Sequence, residues 1–202
     1  FLSFCFNGFS ALFPQLFLTA SSFLFFMNSF TSLRKRVLSR ISPTAAEAKA
    51  EKNFAADLVK LLEKELPHGV RVLFVGSAAR DTGLHGDNDL DLFACFPKKF
   101  SREEIVAATI KATKKAISAK WVMHYAEHPY LKTRLGEFEV EVIPCFEINP
   151  HDELKSAVDR SPLHALYLQE HLTPAQKQDV RLFKQFLKNA GLYGAELRVA
   201  GF

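Results

Sequence analysis

Residues 73–93, LFVGSAARDTGLHGDNDLDLF, constrain the fold of this chain more than any other stretch. Residues 70–75 are a short β-branched apolar run stopped by Gly76, the pattern of a buried strand. A turn follows, and then a second apolar run carries Asp89 and Asp91. In an extended chain residues two apart leave the same face, so both carboxylates point one way while Leu90 and Leu92 point to the core. Two anions this close raise each other's pKa unless a cation neutralises them. Carboxylates with open positions suit Mg²⁺, which fills its octahedron with waters and substrate phosphates, so phosphoryl transfer is the implied chemistry.

Gly76 and Ser77 supply the other half of the pattern. Glycine lets backbone N–H groups approach a phosphate closely, a serine hydroxyl can donate to it, and Arg80 adds a fixed positive charge. Each feature alone is ordinary: a turn, a pair of edge-strand acids, a solvated arginine. In the order strand, Gly-Ser, about a dozen residues, Asp-x-Asp on a strand, they resemble the signature of the DNA polymerase β-like nucleotidyltransferase superfamily.

The chain has 202 residues, enough for one good-sized domain, or for one domain and part of another. Its net charge of +4 is compatible with an RNA or nucleotide partner without requiring one. Cys5, Cys95 and Cys145 are too scattered for a disulfide framework or a zinc site, which points to a reducing compartment. Residues 1–26 carry no charge and are rich in phenylalanine, long enough to span a membrane, with the basic cluster Arg34, Lys35 and Arg36 following. Asn7, Gly8, Pro14 and Gln15 interrupt them and Met27 opens ordinary composition. The expectation is therefore that 1–26 are not part of the working protein and that a membrane anchor is the lesser alternative.

Downstream, Ser42 is expected to cap a helix with Pro43 in its first turn and Phe54, Leu58, Leu61 and Leu62 as its apolar stripe. Ser101 to Glu104 form a capping box, opening a helix with Ile105, Ala108, Ala112 and Ala116 inward and Lys111, Lys114 and Lys115 outward. Residues 121–125, 130–135 and 138–146 read as strands, the last two joined by the two-residue turn Gly136-Glu137. His124 and His128 have no third ligand at suitable spacing, which argues against zinc. In 139–144 Glu139 and Glu141 share a face opposite Val140 and Val142, and one of them can supply the third carboxylate of a two-metal site.

The last third turns helical. Thr173, Pro174 and Gln176 supply cap, first-turn proline and N3 glutamine of a helix that stops at Gly191, with Val180, Phe183, Leu187 and Ala190 expected to be buried and Lys184 and Lys188 free for other duties. The domain reading is an apolar leader at 1–26, a catalytic head at 27–150 and the beginning of a helical neck at 151–202.

With these residues in view, the chain from about Val37 onward resembles the archaeal-type, class I CCA-adding tRNA nucleotidyltransferases, through GSAARD, DLDLF, HYAEHPY, EVIPCF, KSAVDRSPLH, VRLFKQFLK and GLYGAE. The resemblance implies an α+β fold: a polymerase β-like head whose mixed sheet is flanked by helices, followed by the start of a helical neck. It also implies Mg²⁺, ATP and CTP as nucleotides, tRNA as acceptor, and a cytoplasmic enzyme that adds C, C and A without a template. Carried over by position, Gly76, Ser77 and Arg80 hold the incoming nucleotide, Asp89, Asp91 and Glu141 bind metal, and His164, Lys184 and Tyr193 reach the nucleotide from the neck. The family usually has aspartate where this chain has Glu141. Base selection, the grip on tRNA and any homodimer contact are expected beyond Phe202. Two alternatives stay open: another template-independent polymerase of the poly(A) or oligoadenylate type, and a nucleotide- or RNA-binding protein without catalysis.

Overall fold

Three helices of the computed structural model start where the sequence supplies a reciprocal cap, and these starts set the frame for the sheet. The structure describes residues 20–125, 129–147 and 157–193. It contains α1 (Ala20–Ile41), α2 (Ala45–Glu65), β1 (Arg71–Val75), the short α3 (Gly76–Ala79), β2 (Asp89–Phe96), α4 (Arg102–Ala116), β3 (Val122–Tyr125), β4 (Pro129–Leu135), β5 (Phe138–Phe146), α5 (Ala157–His171) and α6 (Pro174–Asn189). Ser101 with Glu104 and Thr173 with Gln176 form the capping boxes of α4 and α6, as their spacing predicts. Ser42 does not cap α2. Thr44 does, because Glu47 stands three residues beyond it and returns a bond to the Thr44 N–H, whereas Ser42 has only Ala45 at that distance.

The chain divides into two compact units, Phe1–Arg40 and Ile41–Phe202. In the first, α1 runs unbroken through Met27, and residues 1–19 of the expected leader lie outside the described residues. Among the described residues no helix is long and apolar enough to cross a membrane. The expected head–neck boundary at 150 also falls on residues that are not described.

The second unit holds a five-stranded sheet of order β1-β2-β5-β4-β3. It is mixed: β2 and β5 are parallel and every other pair is antiparallel. The parallel pair requires a crossover, which α4 and the β3–β4 hairpin provide. Leu90, Leu92, Ala94 and Phe96 of β2, with Val140 and Val142 of β5, point to one face and are fully buried against α2 and α4 through Leu62, Ile105 and Ala112. Phe54 of α2 stacks on Phe138 at 4.8 Å between ring centroids. On the opposite face, Val75, Phe93, Cys95 and Cys145 pack against Ala165 and Val158 of α5 at one end. Asp159 of α5 is fully buried and accepts the Phe146 N–H at 2.9 Å, which ties the helix to the end of β5. The Cys95 and Cys145 thiols meet at 3.4 Å inside this cluster and remain free and buried.

Candidate active site

The end of the sheet face that α5 leaves uncovered is where the carboxylates stand. The parallel register sets Asp89 beside Glu139 and Asp91 beside Glu141. Because residues two apart share a face, Asp89 and Asp91 continue the row Phe93, Cys95, and Glu139 and Glu141 continue the row Ile143, Cys145. The expectation that Asp89 and Asp91 share a face, and that Glu139 and Glu141 do, is met.

Val75, the last residue of β1, pairs with Asp91, so the chain turns into α3 directly over this carboxylate. Gly76 has φ +80°, and a Cβ placed there would lie 2.1 Å from Asp91 Oδ2. Only glycine accepts both that backbone angle and that approach. The group its missing side chain admits in this structure is thus Asp91. Ser77 follows, its carbonyl accepting the Thr82 N–H at 2.9 Å to hold the loop closed. Arg80 ends α3 near enough to Asp91 for its charge to favour the ionised acid.

That help is insufficient. Burial first, then the charges of Glu141 and Asp89, push the Asp91 carboxyl up to about 6 against the lowering influence of Arg80 and Lys132. Asp89 is raised as well, by burial and then by Glu139, Asp87 and Glu141. An acid cluster held above its ordinary range by its own members is one that binds a cation favourably. Among the described residues no three His, Cys, Asp or Glu side chains converge on one point to hold a metal as they stand. Glu141 is engaged elsewhere: Lys132 Nζ lies 2.9 Å from Glu141 Oε1 and also bonds to Glu139. Burial works against the Lys132 ammonium, but the bonds to Glu139 and Glu141 outweigh it and hold its pKa above the ordinary lysine value.

Lys132 was not singled out in the sequence, although the signal was there. The two-residue turn Gly136-Glu137 pairs Leu135 with Phe138, and counting outward along the hairpin brings Lys132 opposite Glu141. Glu51 was also missed. It is buried on α2, raised by burial and then by Glu47, with Asp87 and Asp89 adding to the shift.

Helix α6 approaches the same region with its cations rather than its apolar stripe. Lys177, Arg181, Lys184 and Lys188 recur at helical spacing. Lys177 Nζ reaches Asp81 Oδ2 at 3.2 Å, Arg181 Nε donates to the Gly83 carbonyl at 2.9 Å, and Lys188 Nζ pairs with Asp87 Oδ1 at 2.5 Å. Lys184 is half-buried between them, its pKa lowered by burial and then by Arg80, with Asp87 and Asp89 opposing. The expected burial of Phe183 and Ala190 is corrected: Phe183 is 62% exposed, Phe186 63%, Ala190 is exposed, and Val180 and Leu187 are only partly covered. The carboxylates of Asp81 and Asp87 and the Gly83 carbonyl in the loop at 81–88 are met by the cationic face of α6. Asp81 is the hub, pairing with Lys52 at 2.5 Å and Lys177. Burial raises its carboxyl, but these two bonds hold it below its ordinary pKa.

Of the three neck residues the resemblance supplies, Lys184 lies within electrostatic reach of Arg80 and Asp89. His164 is exposed on α5, and Tyr193 is exposed beyond α6 with Lys188 Nζ 5.3 Å from its ring centre; the structure brings neither against the carboxylates. His124 stacks on Tyr130, consistent with a packing role, and His128 lies outside the described residues.

The model of the nucleotidyltransferase domain family matches residues 56–164. Three similar proteins are CCA-adding enzymes. That of Halobacterium salinarum is 41% identical over 181 residues, 87% of this chain and 39% of its own length. That of Methanosarcina acetivorans is 39% identical, over 84% and 38%. That of Pyrobaculum neutrophilum is 34% identical, over 87% and 43%. The chain thus spans about two fifths of the length of these relatives. A solved structure of the Cid1 poly(U) polymerase bound to MgATP shares the fold at TM-score 0.63 and 18% identity, over 82% of this chain and 50% of that one.

Proposed function

Because the chain belongs to the nucleotidyltransferase domain family, we propose that it carries the catalytic head, to about residue 150, and the start of the helical neck of an enzyme that adds C, C and A to the tRNA 3′ end from CTP and ATP. The observation that carries this reading is the register of β2 and β5, which sets two aspartates beside two glutamates under the Gly76-Ser77 turn. Similarity to CCA-adding enzymes supports this reading, in which tRNA is the acceptor and CTP and ATP are the nucleotides.

The donor set fits Mg²⁺: all the protein donors are carboxylate oxygens, and burial, then the charges of Glu141 and Asp89, hold Asp91 at about 6, so that a cation would favour its ionised form. Asp89, Asp91 and Glu141 would hold the metal. Bound Mg²⁺ would favour ionisation of the tRNA 3′-hydroxyl and neutralise the departing pyrophosphate. The chain's own groups position the reactants. Ser77 and the adjoining backbone hold phosphate oxygens, while Arg80 and Lys184 bring fixed positive charge toward the triphosphate, Lys184 as a point charge with its head already partly desolvated. His164 and Tyr193 are assigned to the nucleotide from the neck side. We place this activity in the cytoplasm, on tRNA that lacks its terminal nucleotides.

The test is incubation of the full-length gene product with tRNA lacking its terminal nucleotides, Mg²⁺ and labelled CTP or ATP. Incorporation that requires Mg²⁺ and is lost in Asp91→Asn is the expected result. Binding of both Mg²⁺-nucleotides without any incorporation would favour a second reading, a nucleotide-binding protein in which Glu141 stays committed to Lys132.

A further inference from the structure

Glu141 occupies a position with two suitors. On one side of β5 it is in register with Asp91 of β2, and on the other with Lys132 of β4, so the row Asp91–Glu141–Lys132 runs straight across three strands. The row above it is Asp89–Glu139–Arg134. The Glu141 side chain reaches the lysine on the neighbouring strand, Lys132 Nζ lying 2.9 Å from Glu141 Oε1. The Lys132 side chain is only 27% exposed and bonds to both glutamates. Around Asp89 and Asp91 the acids that act on one another are Asp87, Asp89, Asp91, Glu139 and Glu141, against Arg80 and Lys132. Acids outnumber bases in this cluster, the balance that favours a bound divalent cation.

We propose that Lys132 is a resident counter-cation of the third carboxylate, a positioning residue that must release Glu141 when a divalent cation binds, and that Glu139 is the parking place that receives it. The proposal rests on the reading of Asp89, Asp91 and Glu141 as metal ligands. An ammonium on Glu141 Oε1 competes with a metal for the charge of that carboxylate and biases how it is oriented, and two cations a few ångströms apart repel one another. Glu139 is suited to receive the lysine because it lies two residues along the same strand, faces the same way and is already bonded to Lys132. Lys132 would hold Glu141 in place while no metal is bound and set the threshold concentration for occupancy.

The probe is Mn²⁺ alone, titrated into the full chain by calorimetry or by loss of the free-ion paramagnetic signal. Lys132→Met is expected to tighten Mn²⁺ binding about tenfold by removing the competing charge, with Lys132→Gln as a second neutral variant and Lys132→Arg near wild type. Glu139→Gln is expected to weaken binding about fivefold in the wild-type background, because the lysine then rests on Glu141 alone, and less than about twofold in the Lys132→Met background. That loss of effect separates parking of the lysine from the general attraction of Glu139 for cations. If wild type binds Mn²⁺ and Asp91→Asn does not, yet both neutral Lys132 variants keep or lose affinity, this proposal falls and the metal reading stands. An undiminished Glu139→Gln effect in the Lys132→Met background overturns it equally. Absence of Mn²⁺ binding in wild type overturns both the proposal and the reading beneath it.

Discussion

The carboxylate face of β2 and β5 and the cationic face of α6 meet at the same end of the sheet, yet only the first could be oriented from sequence. A strand offers two faces, and the apolar residues Leu90, Leu92, Val140 and Val142 claim one so completely that the acids must take the other. Helix α6 carries two stripes at helical spacing, Val180-Phe183-Leu187 and Lys177-Arg181-Lys184-Lys188, and either can face inward. What decides between them is the loop at 81–88, which presents Asp81, Asp87 and the Gly83 carbonyl. The lesson is that amphipathic patterning orients an element only when the partner surface is apolar. At a charged site the polar stripe can be the one that docks.

The sharpest way to break the strand half of this comparison is Gly76→Ala. The new Cβ meets Asp91 Oδ2 at 2.1 Å in a backbone conformation that alanine resists. A destabilisation of about 2 kcal/mol in chemical denaturation and a loss of nucleotidyl transfer of roughly a hundredfold are expected, since a shift of about 1 Å at a positioned carboxylate suffices for the latter. Activity near wild type would mean that Asp91 does not need its observed place.

Asp81→Ala tests the helix half. It removes the partner of Lys52 and Lys177 at a non-glycine residue with φ +56°. The expected outcome is a stability loss of about 1 kcal/mol and a KM for nucleotide raised about fivefold with kcat little changed, because the exposed ion pairs are weak but hold the helix that bears Lys184. The smallest effect is expected of Phe183→Ser. At 62% exposure the change should stay within about 0.5 kcal/mol. A loss above about 1.5 kcal/mol would show that the apolar stripe of α6 is the packed one.

How much was legible follows the same division. The strands, the Gly136-Glu137 turn, the capping boxes of α4 and α6 and the placement of Asp89 and Asp91 are local or period-two features, and alternation or cap chemistry specifies them within a few residues. The start of α2 was misplaced by two residues because Ser42-Pro43 mimics a cap, while the deciding contact is the return bond from Glu47. The tie between Asp81 and Lys177 joins residues far apart in sequence and cannot be read from either segment. Lys132 is intermediate: the hairpin register placed it opposite Glu141, but a lysine in a strand carries no mark of its partner until that register is counted.

The most direct measurement is thermal unfolding across pH, with and without Mg²⁺, of wild type and Asp91→Asn. The central claim is that the carboxylate face is held short of a cation. Asp91 titrates at about 6 in the fold against 3.8 ordinarily. A raised acid contributes stability that is fully present below about pH 4 and lost as pH rises through about 6, because the folded state then binds more protons than the unfolded one. Without metal, wild type should therefore lose on the order of 2 kcal/mol relative to Asp91→Asn between pH 4 and pH 7.5. Mg²⁺ should restore wild type at pH 7.5 and leave Asp91→Asn unmoved. A wild type that keeps the same margin over Asp91→Asn at both pH values, or equal stabilisation of the two by Mg²⁺, would contradict the account.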